Sequence, residues 1–122
     1  YVEMRVPNQY ENMISMTTLD YIEQKYKTAT LTELCETLHL PMHVLSKMIK
    51  KTTGFNFKEL LQRQRLNKSV ELMCDTDLAI SDIIAAVGYE NNSYFHRVFK
   101  ERYHMTPRAF REENRQQAQV RL

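Results

Sequence analysis

The sequence predicts an all-α fold of about seven helices, in which two helix-turn-helix subdomains are joined by a long linker helix. Three observations lead there. Gly is 2 and Pro is 3 of 122 residues, too few for the many turns of an all-β chain. Apolar residues recur every three to four positions. A short helix, a tight turn and a longer helix occur twice along the chain.

The 122 residues suit one compact domain or two small lobes. A hydrophobic share of 43% argues against disorder. The net charge of +2 does not by itself declare a nucleic-acid binder, so the argument rests on where the charges lie. Cys35 and Cys74 both fall within apolar-periodic segments and are expected to be buried thiols of a reducing compartment. No run is long and apolar enough for a membrane span or signal peptide. The chain opens at Tyr1, and Val2 to Val6 alternates like a strand end. Residues 1–11 are therefore expected to be a linker or the tail of a preceding domain.

The first helix is predicted from Asn12 to Tyr26, on the period of Met13, Ile14, Tyr21 and Ile22. A short amphipathic helix follows, with Leu31, Leu34, Cys35 and Leu38 inward. His39-Leu40 makes a turn, and Pro41 belongs at a helix start. The next helix, 42–53, ends at Gly54, a residue suited to closing helices. These elements make a first subdomain, 12–55. Phe57, Leu60, Leu61, Leu66, Val70 and Met73 mark the linker helix, 56–74. The second subdomain, 75–112, holds a short helix with Ser81 as expected N-cap, Gly88 at its close, and a helix at 92–103 capped by Asn91. Pro107 starts a last helix through Arg111. Residues 113–122 are expected to be a polar tail that frays from Gln116 onward.

The two subdomains look like copies. Leu34, Cys35 and Leu38 match Ile83, Ile84 and Val87 at an offset of about 49. Leu45 to Lys50 matches Phe95 to Lys100 at an offset of about 50, so the extra residue falls in the turn.

Taking about 100° per residue, Phe95, Val98 and Phe99 form the inward stripe of the second copy. Asn92, Ser93, His96, Arg97 and Lys100 share another arc, with no carboxylate on it. In the first copy, Leu45, Met48 and Ile49 go inward. His43, Ser46, Lys47 and Lys50 form the matching arc, again free of carboxylates. Solvated helix faces normally mix acids and bases in i,i+4 pairs, so two equivalent acid-free arcs point to an anionic partner. The residue types suit double-stranded DNA: Arg and Lys donate to guanine, Asn pairs with adenine, and Ser and His reach base edges or phosphate. Lys51, Lys58, Arg63, Arg65, Arg102 and Arg108 supply phosphate contacts or plain surface charge.

These residues resemble the AraC/XylS family of bacterial transcription regulators, over roughly Met16 to Arg111. The segment "IIAAVGYENNSYFHRVFKERYHMTPRAFR" is similar to the family's C-terminal signature. The first copy, "LCETLHLPMHVLSKMIKKTTGFNFKELLQRQRLNKSVELM", is a looser match. The resemblance implies a DNA-binding domain without catalysis, cofactor or metal. Its helices 42–53 and 92–103 would enter successive major grooves of one site. It carries base contact to His43, Ser46, Lys47, Asn92, Ser93, His96 and Arg97; the basic residues Lys50, Lys51, Lys100 and Arg108 are expected to contact phosphates. It further implies RNA polymerase as a partner, an N-terminal effector or dimerisation domain outside this fragment, and a cytoplasmic, nucleoid-associated location. Four positions depart from the family pattern: His39 for Gly, Lys47 for Arg, Ile49 for Phe and Ile84 for Ala. A linker helix of about 17 residues, at about 1.5 Å each, spans roughly 25 Å, a scale suited to a site whose grooves repeat at about 34 Å.

Two other readings were weighed. His39 and His43 stand four apart but straddle the helix start at Pro41, which speaks against a metal site. A helical interaction module, in which one lobe touches RNA polymerase or a regulatory domain rather than bases, is the alternative to DNA reading by both.

Overall fold

A computed structural model describes the backbone of residues 8–120 and the side chains of residues 8–117. The strand-like pattern at Val2 to Val6 lies outside the described residues. The described residues form helices throughout, in the order α1 (Gln9–Lys25), α2 (Leu31–Leu38), α3 (Met42–Thr53), α4 (Phe57–Asp75), α5 (Ile80–Ala86), α6 (Asn92–Tyr103) and α7 (Pro107–Val120). Equivalent helices recur at the expected offsets, α2 with α5, α3 with α6, and the starts of α4 and α7.

The chain divides into two compact units, 1–64 and 65–122, and the boundary falls inside α4. In the first unit α1 and α2 both pack on α3. Ile14, Ile22, Leu34, Leu45, Ile49 and Phe57 fill its core, with Leu60 and Leu61 of α4 at the edge. In the second unit α5 and α7 both pack on α6. Its buried residues include Leu66, Met73, Ile83, Ile84, Val87, Phe95, Val98 and Phe99. Ile84 and Ile49, the two departures in bulk, are both fully enclosed.

Capping chemistry explains the helix starts. Thr30, Asn56, Asn91 and Thr106 each accept a backbone N–H three residues ahead, opening α2, α4, α6 and α7. Three boundaries differ from the sequence expectation. α1 starts at Gln9, not Asn12, because Asn8 caps it by accepting from the Glu11 amide at 2.8 Å. α5 starts at Ile80 with Ala79 in the N-cap position and no side-chain cap, so Ser81 lies inside the helix. α7 continues past Arg111 to Val120, since the Glu, Arg, Gln and Ala that follow are good helix formers with no Gly or Pro among them.

The helix-turn-helix turns are built alike. In the first, the His39 and Leu40 amides donate to Glu36 and Cys35 carbonyls. In the second, the Gly88 and Tyr89 amides donate to Ala85 and Ile84 carbonyls. This is the double bond of a Schellman closure, and it needs a left-handed residue. His39 takes that conformation at φ 56°, Gly88 at φ 103°. The recognition helices end the same way, with Gly54 at φ 81° and His104 at φ 61°. Each unit thus meets one left-handed position with Gly and the other with His. A side chain at φ > 0 costs about 1 kcal/mol, and open space surrounds the Gly54 Cα. His104→Gly should therefore stabilise the fold by up to about 1 kcal/mol, and Gly54→Ala should destabilise it by about the same amount, as read by thermal unfolding.

Candidate nucleic-acid interface

Burial of one stripe on each recognition helix decides what the opposite side offers. On α6 the rings of Phe95 and Phe99 and the Val98 side chain are enclosed, so Asn92, Ser93, His96, Arg97 and Lys100 are all left exposed. On α3 Leu45 and Ile49 are enclosed. His43, Lys47, Lys50 and Lys51 are exposed there, and Ser46 is half-buried. The structure thus gathers each predicted set on a single accessible arc.

Two side chains of the α6 arc are held in place. The His96 ring stands edge-on to Phe95, with Nδ1 2.7 Å from the Asn92 carbonyl oxygen. A carbonyl only accepts, so Nδ1 carries the proton. In the neutral ring Nε2 is then an outward acceptor, which is suited to an adenine or cytosine amino group. The Arg97 guanidinium lies over the Tyr94 ring at 5.1 Å, and Tyr94 in turn lies beside Tyr89. Such a contact limits the rotamers of a long cation without spending its hydrogen-bond donors. The Tyr-x-x-Arg spacing of one helical turn was its sequence signal.

Other cations have structural duties. Lys50 Nζ donates to the Gly54 carbonyl at 3.1 Å and so supports the end of α3. Lys51 Nζ is paired with Glu11 Oε1 at 2.8 Å. Glu11 comes from α1, so the first arc does meet a carboxylate after all, a correction to the helix-by-helix view. Arg65 is not plain surface charge. It is half-buried, its guanidinium lies 5.4 Å from the Tyr89 ring centre, and burial lowers its pKa, partly offset by the Tyr89 phenol. Burial pushes the Tyr89 phenol up to about 12, against a lowering by Arg65. Tyr89 therefore stays un-ionised at neutral pH, as a wall of the turn, and its hydroxyl has no hydrogen-bond partner. Cys35 is buried as expected, but Cys74 is exposed, because it falls on the outer side of the last turn of α4.

Arg108 is exposed beside a hollow of about 450 Å³ shared with Ile80, Arg111, Glu112 and Arg115. Its neighbour Arg111 is spent on the backbone. Nε donates to the Met73 carbonyl at 3.1 Å, Nη2 to Thr76 at 3.0 Å and Nη1 to Leu78 at 2.6 Å. One guanidinium thus satisfies the end of α4 and the loop to α5, which explains why Arg closes the signature segment.

Two helix-turn-helix units, each exposing a basic arc that also carries a histidine and a serine, define a DNA-binding protein. The helix-turn-helix domain family matches residues 34–113. Regulatory protein PocR of Salmonella typhimurium is 34% identical over 83 residues, which are 68% of this chain and 27% of PocR. The C-terminal domain of AraT, a response regulator from Geobacillus stearothermophilus, is 32% identical with a TM-score of 0.77, over 82% of this chain and 84% of that one. An AraC-type regulator from Chromobacterium violaceum shares the fold at a TM-score of 0.79 and 18% identity, over 88% of this chain and 96% of that one. The chain belongs to the AraC/XylS-type helix-turn-helix family and is the DNA-binding domain of a transcription regulator. It spans about a quarter of PocR, the relative it matches at 34% identity.

The three-carbonyl bond of Arg111 makes a specific prediction. Arg111→Lys keeps the charge but lacks the planar fork, and should cost about 2 kcal/mol. Urea unfolding should show a lower midpoint with an unchanged slope.

Proposed function

We propose that α3 and α6 enter successive major grooves of one DNA site. His43, Ser46 and Lys47 on the first, and Asn92, Ser93, His96 and Arg97 on the second, read base edges. Lys50, Lys100 and Arg108 contact phosphates, while Lys51 is already paired. The observation that carries this reading is the repeated arc: polar positions of α6 at 92, 93, 96, 97 and 100 are all exposed while Phe95, Val98 and Phe99 are buried, and α3 repeats the pattern with Ser46 half-buried. The amino-terminal turns of a recognition helix are those that reach bases, and Asn92, Ser93 and His96 sit there.

The regulator as a whole acts in the bacterial cytoplasm at the nucleoid, with RNA polymerase as its second partner, since a promoter-bound regulator works by touching or blocking that enzyme. An effector-binding or dimerisation domain accompanies this one. The support is length, as the matched part is only 27% of PocR. One observation favours the narrower version in which α3 serves a protein partner: the Glu11 carboxylate lines a groove on that helix with His43, Lys47 and Lys51.

Titrations on a DNA site selected by the domain test the assignment. Arg97→Ala should cost about 1–3 kcal/mol and relax preference at one base pair. Lys100→Ala should weaken all sequences alike and reduce the salt slope by about 0.9. Salt-independent affinity would reject DNA binding by these arcs.

A further inference from the structure

The amino end of α1 sets a carboxylate against one flank of the first recognition helix. Asn8 caps α1 through the Glu11 amide, and the Asn8 side-chain amide donates to Glu11 Oε1 at 3.3 Å. The same oxygen accepts from Lys51 Nζ at 2.8 Å. Glu11 is only 12% exposed, while Lys51 is 39% exposed. Glu11 Oε2 is buried without a hydrogen-bond partner. A carboxylate so placed needs positive charge close by. It has that charge in a groove of about 380 Å³, where His43, Lys47 and Lys51 line one side with Val44 and Met48. His43, Lys47 and Lys51 stand four residues apart on α3 and so share the flank that faces α1. Ser46 and Lys50 lie round the other side of the arc.

The second unit supplies an independent comparison. At the offset that relates α3 to α6, Lys47 matches Arg97 and Lys50 matches Lys100, but Lys51 matches Glu101. The first unit carries a cation neutralised by Glu11 where the second carries an anion. Neither unit presents an uncompensated cation there.

We propose that Glu11 is an internal counter-anion that withholds Lys51 from the DNA backbone and so limits the non-specific grip of the first recognition helix. The proposal rests on the reading that α3 docks on DNA. Non-specific affinity comes almost wholly from neutralised phosphates, with a salt slope of about 0.9 per contact. Holding one cation in an internal pair subtracts one contact from that sum. His43, Ser46 and Lys47 keep their place on the arc, so base reading is retained while indiscriminate attraction falls.

The test measures binding of the domain to a mixed-sequence duplex of about 30 base pairs at several salt concentrations. Glu11→Gln frees Lys51 and should steepen the slope by about 0.9, so that affinity falls about 3.5-fold more between 50 and 200 mM salt than in the wild type. The double variant Glu11→Gln, Lys51→Ala replaces a neutral pair by neutral side chains, removes the buried charge, and should return the wild-type slope. If Lys51 already contacts phosphate in the wild type, Glu11→Gln leaves the slope unchanged and the double variant flattens it by about 0.9, and either result overturns the proposal. A wild-type domain that binds duplex without salt dependence overturns the DNA reading together with this one. A steep wild-type slope with an unaltered Glu11→Gln slope overturns this one alone.

Discussion

The ring column that runs from Phe95 through Phe99 to Tyr103 and Phe110 sets the rotation of α6 about its axis, and that rotation decides which side chains face outward. Phe99 touches Phe95 at 5.6 Å, Tyr103 at 4.6 Å and Phe110 at 5.6 Å between ring centres. Each buried ring contributes roughly 2–3 kcal/mol, so turning α6 by even one residue forfeits more than any surface contact returns. The arc from Asn92 to Lys100 is thus the geometric remainder of the core. In the first unit the corresponding positions are Leu45, Ile49, Thr53 and Leu60, which are aliphatic or polar. The same rotation is held there by volume and shape instead of by ring-to-ring contacts.

Around that core the backbone closures do the positioning. The paired amide bonds at His39–Leu40 and Gly88–Tyr89 fix the angle between the short helix and the recognition helix in each unit. Arg111 ties the end of α4 to the loop before α5 through three carbonyls. Tyr89 follows the turn as a buried ring under Arg65, which moves Arg65 from the surface charge to the framework.

Much of this was legible in sequence because it is local. Periodicity placed α2 to α6 to within a few residues, Asn91 and Gly54 announced their helix ends, and the offset of about 50 exposed the duplication. The errors have local causes too. Asn8 followed three residues later by Glu11 is a capping signature, and reading it would have started α1 correctly. Ser81 attracted the N-cap assignment by type, but the helix begins a residue earlier, where Ala79 takes extended angles. What could not be read is tertiary. Glu11 and Lys51 are 40 positions apart, and Arg111 reaches back 33 to 38 positions for its carbonyls. No helical projection shows such pairs, which is why the first arc looked free of acid.

The two helices α3 and α6 thus share one design with different electrostatic settings, an open basic arc on α6 and one partly compensated by Glu11 on α3. The proposal is that both read DNA. The most direct measurement is to select duplexes from a random pool with the purified domain, then scramble each half of the recovered site in turn and measure affinity. Reading by both helices predicts two half-sites centred about one helical turn, roughly 10 base pairs, apart, with loss of affinity on scrambling either one. Recovery of a single short half-site, or undiminished affinity after scrambling one of two, would contradict it.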